Sequence, residues 1–362
     1  EEAVSRDKLP RHWMADFFTA HVTLEAQDNT HAIERYEALL ARWPRSPYVQ
    51  SQLALAKYNL REFDEAQTIF EGLLSADPYR LDHIDTYSNI LFVKEQKRAL
   101  STLAHTCVSI DKYRPEACCV IGNYFSLKGA HEKAVLYFRR ALKLDAHFLS
   151  AWTLMGHEFV ELKNTAAAVD AYRHAVEINP KDYRAWYGLG QTYEILQMSY
   201  YALFYYRKAT ALRPYDARMW CAMAGCYKQL GRTQEAIQCY TRAVKNDDSE
   251  GVALQELAKL YKEEGNKLQA AHYYSEMLKQ REDMSGPETQ DALLFLANFH
   301  KSSGQLAEAQ HYCSRLLDLG GPEKEAAKAL LRDISSTRQQ CSQHGTSASA
   351  SHHPTSAAAS EL

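Results

Sequence analysis

One arrangement of side chains recurs every 34 positions in this chain, and it constrains the fold more than any other feature. Trp186, Leu189, Gly190, Tyr193, Ala202, Tyr206, Ala209 and Pro214 define it. The positions 34 residues earlier hold Trp152, Met155, Gly156, Phe159, Ala168, Tyr172, Ala175 and Pro180. The positions 34 residues later hold Trp220, Met223, Ala224, Tyr227, Ala236, Tyr240 and Ala243, with Asp248 in place of the proline. Units beginning at 13, 47, 81, 115, 149, 183, 217 and 251 share this register without a gap. A ninth begins near 290, after a five-residue insertion around Ser285-Gly286-Pro287. The unit from 81 fits least well, with Ser88 and Leu100 where small residues are expected.

The spacing has a physical reading. Trp186, Leu189, Gly190 and Tyr193 lie three, four and seven residues apart, which is one face of a helix. Ala202, Tyr206 and Ala209 form the matching stripe of a second helix. The small residues let the two backbones approach, and the rings fill the space around them. The closing proline lacks an N–H and ends the second helix. One such hairpin leaves an apolar face uncovered, so each must stack on the next. This is the tetratricopeptide pattern. The predicted fold is therefore all-α, a tetratricopeptide-repeat superhelix of about nine helical hairpins over residues 13–334. Residues 1–12 are read as the N-terminal segment of a truncated chain, because it begins Glu1-Glu2 without Met; processing is the rival explanation. Residues 335–362 carry few large apolar side chains and are expected to form a disordered Ser/Ala/His-rich tail.

Several classes of function are disfavoured. Lys and Arg number 42 against 45 acidic residues, so no excess of positive charge is available for a phosphate backbone and no nucleic-acid partner is expected. No apolar run approaches the length of a membrane-crossing helix, and no membrane association is expected. The eight cysteines form no C-x-x-C pair and most sit in apolar stretches, as free thiols do in a reducing compartment. That places the expected location in the nucleus and cytoplasm. No phosphate-binding loop, nucleophile elbow or zinc-protease motif is present, so neither catalysis nor a cofactor is expected. His157 and Glu161 share a helical face, but two ligands are too few for a structural metal site.

The informative positions are those of each first helix that face away from its own hairpin. They include Asp85, Asn89, Asn123, Ser126, Thr153, His157, Glu161, Arg184, Tyr187, Gln191 and Glu194. This lining is polar, bears tyrosine and is acidic near its middle. It suits an extended peptide with a basic anchor, because carboxylates flanked by Asn and Tyr accept an arginine fork and its stem. A solvated face without a ligand is the plainer alternative. A clamp for a terminal carboxylate needs basic side chains, yet the fifth positions are Cys119, Thr153, Tyr187 and Cys221.

Some residues go beyond what the repeat demands. Cys118-Cys119, Asn123, His157-Glu158 and Lys163-Asn164 are among them, as are the runs DPYRLDHIDTYSNILFV and KEAAKALLRDI. With these, the chain resembles the subunit-eight (Cdc-twenty-three) family of tetratricopeptide subunits of the anaphase-promoting complex, over roughly residues 14–334. The resemblance implies a non-catalytic scaffold of a cell-cycle ubiquitin ligase, homodimeric at full length. Its implied partners are other subunits of the complex, a small accessory subunit and the C-box peptide of a coactivator. Asn123 and Glu158 match the family's positions in its most characteristic repeats, and with Asn89, His157, Glu161, Tyr187 and Glu194, which lie nearby, they are the expected peptide-binding residues. A free-standing adaptor or co-chaperone that binds one client peptide remains the alternative.

Overall fold

The structure, a computed structural model, describes residues 13–246, 248, 251–280, 286–319 and 324–348. The segment 1–12 lies outside them. Among the described residues there are nineteen α-helices and no strand, which is the all-α tetratricopeptide class the repeat predicts. They form two compact units, Glu1–Gln197 and Met198–Leu362. The first contains α1 (Trp13–Glu25), α2 (Asn29–Arg42), α3 (Pro47–Asn59), α4 (Phe63–Ala76), α5 (Ile84–Val93) and α6 (Lys97–Asp111). It continues with α7 (Pro115–Leu127), α8 (His131–Leu144), α9 (Leu149–Glu161), α10 (Thr165–Ile178) and α11 (Tyr183–Ile195). The second begins with α12 (Ser199–Leu212), α13 (Ala217–Gln229), α14 (Thr233–Lys245) and α15 (Val252–Glu263). It ends with α16 (Lys267–Gln280), α17 (Pro287–Ser302), α18 (Leu306–Leu319) and α19 (Lys324–Ala348).

The register of the sequence reappears in the backbone. A residue of positive φ closes the turn inside each hairpin at 27, 61, 95, 129, 163, 197, 231 and 265, and then at 304. The last step is five residues longer, the length of the insertion. Between hairpins a second device repeats. Asp77, Asp111, Asp145 and Asn179 each accept, through a side-chain oxygen, the N–H two residues on, at 2.8–3.1 Å. Such turns are what Asp and Asn do best outside helices. The signature tryptophans close the same loops from the helix side. Indole Nε1 of Trp152, Trp186 and Trp220 donates to the carbonyls of Ala146, Pro180 and Pro214, at 2.8–2.9 Å.

The core is a ladder of rings set against small residues. Tyr36, Phe70, Phe138, Tyr172, Tyr206, Tyr240 and Tyr274 are all at most 4% exposed. A Cβ on Gly122 would lie 2.4 Å from the Phe138 ring, and one on Gly156 would lie 2.6 Å from the Tyr172 ring, so both positions require glycine. The unit from 81 departs from the pattern by exchange. Leu100 stands where its neighbours have a small residue, Ala104 stands where they have the ring, and both are buried. The gain of Leu100 offsets most of the volume lost with the ring, which is the kind of swap a core tolerates.

The helix α19 continues to Ala348, past the boundary at 334 that composition suggested. Leu330, Leu331 and Ile334 pack against Ala297, Ala309 and Cys313 of the last hairpin. The helix they anchor propagates beyond them, because extension costs far less than nucleation. The remainder of the expected tail, 349–362, lies outside the described residues.

Candidate functional site

The inner face of the first unit is formed by the first helices of its hairpins, each packed on its own partner and on the next first helix: α7 on α8 and α9, α9 on α10 and α11. This side-by-side packing makes the face tighter than a solvated lining. Asn89, Asn123, Ser126 and Thr153 are all at least 92% buried, because each lies in the seam between adjacent helices. Cys119, a fifth-position residue read as facing the groove, is fully buried.

The structure joins several of the sequence-derived residues directly. Asn123 Nδ2 donates to Asn89 Oδ1 at 2.7 Å and to Ser88 Oγ at 2.8 Å, linking α7 to α5. Glu158 is 5% exposed. Its Oε1 accepts from Ser126 Oγ at 2.6 Å and its Oε2 from His131 Nδ1 at 2.8 Å, linking α9 to α7 and α8. Both oxygens are therefore engaged within the fold, and little of that carboxylate is left for an arriving cation. Glu161, one turn further along α9, is exposed. Tyr187 and Glu194 lie half-buried on α11.

His157 shows how the site sets a protonation state. Its Nδ1 lies 2.9 Å from the Tyr172 hydroxyl. Burial pushes the tyrosine pKa up, so the hydroxyl keeps its proton and donates, which leaves the imidazole proton on Nε2. Burial first, and the nearby Arg184 guanidinium second, hold the His157 pKa down to about 4, against an upward pull from Asp182. The ring is neutral at pH 7.

Three participants were not among the expected binding residues: Tyr58, His131 and Asp182. Asp182 caps α11 and grips Arg184 with both oxygens, Nε to Oδ1 at 2.9 Å and Nη2 to Oδ2 at 3.1 Å. The guanidinium also lies beside the Tyr58 hydroxyl of α3, where it opposes the upward push of burial on that group. The inner face thus carries a cation among its acids, neutralised by its own cap. The signal was present in sequence: Asp216 and Arg218, 34 residues on, make the same fork. Among the described residues no cluster of three or more His, Cys, Asp or Glu could hold a metal, and no helix is long and apolar enough to cross a membrane.

Comparison with known proteins follows the same register. Residues 88–334 match the family described as the cilia and flagella-associated protein 70 C-terminal domain, and residues 19–80 match the tetratricopeptide repeat. A protein of Arabidopsis thaliana named anaphase-promoting complex subunit 8 is 53% identical over 92% of this chain and 58% of its own length. A protein of the same name from Dictyostelium discoideum is 54% identical over 91% of this chain and 56% of its own. The chain belongs to the tetratricopeptide family of anaphase-promoting complex subunit 8. It spans a little over half the length of these subunit-8 relatives. The crystal structure of an APC/C hetero-tetramer, Cut9–Hcn1, shares the fold, with a TM-score of 0.63 at 17% identity, over 91% of this chain and 65% of that one.

Proposed function

We propose that the chain is a non-catalytic scaffold of the anaphase-promoting complex, a ubiquitin ligase of the cell cycle, working in the nucleus and cytoplasm. In this reading it stacks with other subunits, pairs with a second copy at full length, and receives a small accessory subunit on its surface. The inner face of the first unit takes the basic C-box segment of a coactivator. The observation that carries the proposal is identity above one half over nearly the whole chain to proteins named as subunits of that complex. The geometry supports the peptide part. Glu161 and Glu194 stand at the C-terminal ends of α9 and α11, on the side of the seam that His157 and Tyr187 line. Neutral His157 adds a donor at Nε2 without adding charge.

Affinity purification of the tagged chain from dividing cells tests the scaffold role. Co-purification of the catalytic cullin and RING subunits is the expected result, and recovery of a single chaperone or client sinks it. For the peptide, Glu161→Lys with Glu194→Lys is expected to weaken a C-box peptide by at least about tenfold, since charge-assisted hydrogen bonds contribute about 1.5–3 kcal/mol each. Unchanged affinity in fluorescence anisotropy would remove the groove from the proposal.

A further inference from the structure

At the opposite, N-terminal ends of the inner helices, α3, α5, α7 and α9 surround a cavity of about 440 Å³. Its walls include Tyr48, Arg80, Asp82, Asp85, Glu116 and Phe148. Asp85 was among the groove positions read from the sequence; the other five were not.

The acids in this wall are not equally served. Asp82 is ion-paired with Arg80 at 3.5 Å and with Arg114 at 3.4 Å. Glu116 shares Arg114, also at 3.4 Å. Asp85 is 6% exposed, yet among the described residues no hydrogen bond or ion pair reaches its carboxylate. It stands in the first turn of α5, whose positive end eases a negative charge but supplies no hydrogen bond here. Three carboxylates thus face two guanidinium groups, and the unserved one is the most buried. Arg80 Nε in this wall is buried without a hydrogen bond, and Glu116 Oε2 meets only Arg114 Nε, at 3.4 Å. Native proteins rarely leave such groups unsatisfied. The missing complement is a cation with several donors, accompanied by one acceptor.

We propose that this cavity receives an arginine side chain from an extended segment of a partner protein, with its guanidinium on Asp85. Tyr48 and Phe148 flank the space and cover the aliphatic stem; Tyr48 is 44% exposed and available to do so. The planar guanidinium carries five donors, enough for both oxygens of Asp85 and for Glu116 Oε2, which Arg114 reaches only at 3.4 Å, whereas an ammonium is a compact point charge. The acceptor for Arg80 Nε is a backbone carbonyl, which a peptide brings and a simple amine does not. The inference deepens the peptide reading above by adding a second basic anchor, on residues separate from Glu161 and Glu194.

The test uses the 362-residue chain and a capped Ala-Arg-Ala peptide, with its citrulline counterpart as the uncharged isostere, followed by saturation-transfer NMR. Saturable binding of the arginine peptide is expected, about tenfold weaker for citrulline and about tenfold weaker in Asp85→Asn. The Asp85→Asn chain should melt at the same temperature or higher, because no partner is lost. The Glu161→Gln, Glu194→Gln double variant removes the other acidic end, so the tripeptide binding it retains should be weakened about tenfold again by adding Asp85→Asn. Absence of saturable binding, undiminished binding by Asp85→Asn, or a lowered melting temperature in that variant would each overturn the proposal. Loss of binding in the double variant instead would assign the arginine to the Glu161 and Glu194 end. A C-box peptide that fails on the double variant but not on Asp85→Asn would leave the groove reading standing alone.

Discussion

Tyr172 is held between two glycines. Gly156 faces it within its own hairpin, and Gly188 of the next first helix approaches so closely that an added Cβ would lie 2.4 Å from the ring. The glycine at the repeat position was legible from the 34-residue period, whereas Gly188 has no role in the repeat and nothing in the period marks it. Gly156→Ala is expected to destabilise by about 1–3 kcal/mol through overpacking. Gly188→Ala should cost a similar amount, and the pair should depart from additivity because both displace one ring. Denaturant midpoints measure all three, and a neutral Gly156→Ala would contradict the packing. His157 makes a pH prediction from the same pocket. Its pKa is about 4 in the fold and about 6.5 in the unfolded chain, so unfolding takes up a proton between those values. The stability this ring contributes is complete above pH 6.5 and is lost as pH falls to 4, by on the order of 2–3 kcal/mol. His157→Asn keeps an acceptor for Tyr172 and should flatten the pH dependence of the thermal midpoint between pH 7 and 4.5. An identical slope in both chains would refute the assignment.

At the scale of the helical hairpin, the period revealed where helices pair but not how their ends are closed. Five of the nine intrahairpin turns place a non-glycine residue at positive φ: Gln27, Arg61, Glu95, Lys163 and Gln197. No local glycine marks those turns, so their conformation is imposed by the packing of the flanking helices. Where glycine is used, its reason can be tested by opposite signs. Gly129 has φ +74 and open space around it, so Gly129→Ala should cost about 1 kcal/mol in backbone strain alone. Gly72 lies inside α4, also with nothing near it, and there the same change should stabilise by about 0.5–1 kcal/mol. Thermal shifts of the same sign would be inconsistent with these placements. The bridge at Glu158 was likewise hidden, since its partners Ser126 and His131 lie 32 and 27 residues away on different helices. Glu158→Ala strands both donors and should cost about 1–3 kcal/mol. Exposed Glu161→Ala should stay within about 0.5 kcal/mol. Equal losses in urea titrations would show that Glu158 is no bridge.

For the whole chain, cysteines report on how far a local disturbance travels. Seven have described side chains, none in a disulfide, and all but Cys221 are buried. Burial pushes the thiols of Cys107 and Cys239 up to about 11 and raises those of Cys118, Cys119 and Cys313. Reaction requires both the thiolate and access, so the native fold protects them twice. Among these seven, Cys221 is expected to react first with an aromatic disulfide reagent, and the buried thiols only on opening. Stacked repeats are stabilised mainly by nearest neighbours, so opening need not be shared by the whole chain. Cys118 and Cys119 sit on α7, which packs against α9, the helix that holds Gly156. Cys313 lies on α18, in the other compact unit. The period could not disclose that division, because the repeat runs through Gln197 and Met198 without a gap. Gly156→Ala should therefore accelerate labelling of Cys118 and Cys119 by a larger factor than that of Cys313, as read by peptide mass spectrometry over time. Equal acceleration at all three would mean that the two units open as one cooperative body, with nearest-neighbour coupling no longer the governing term.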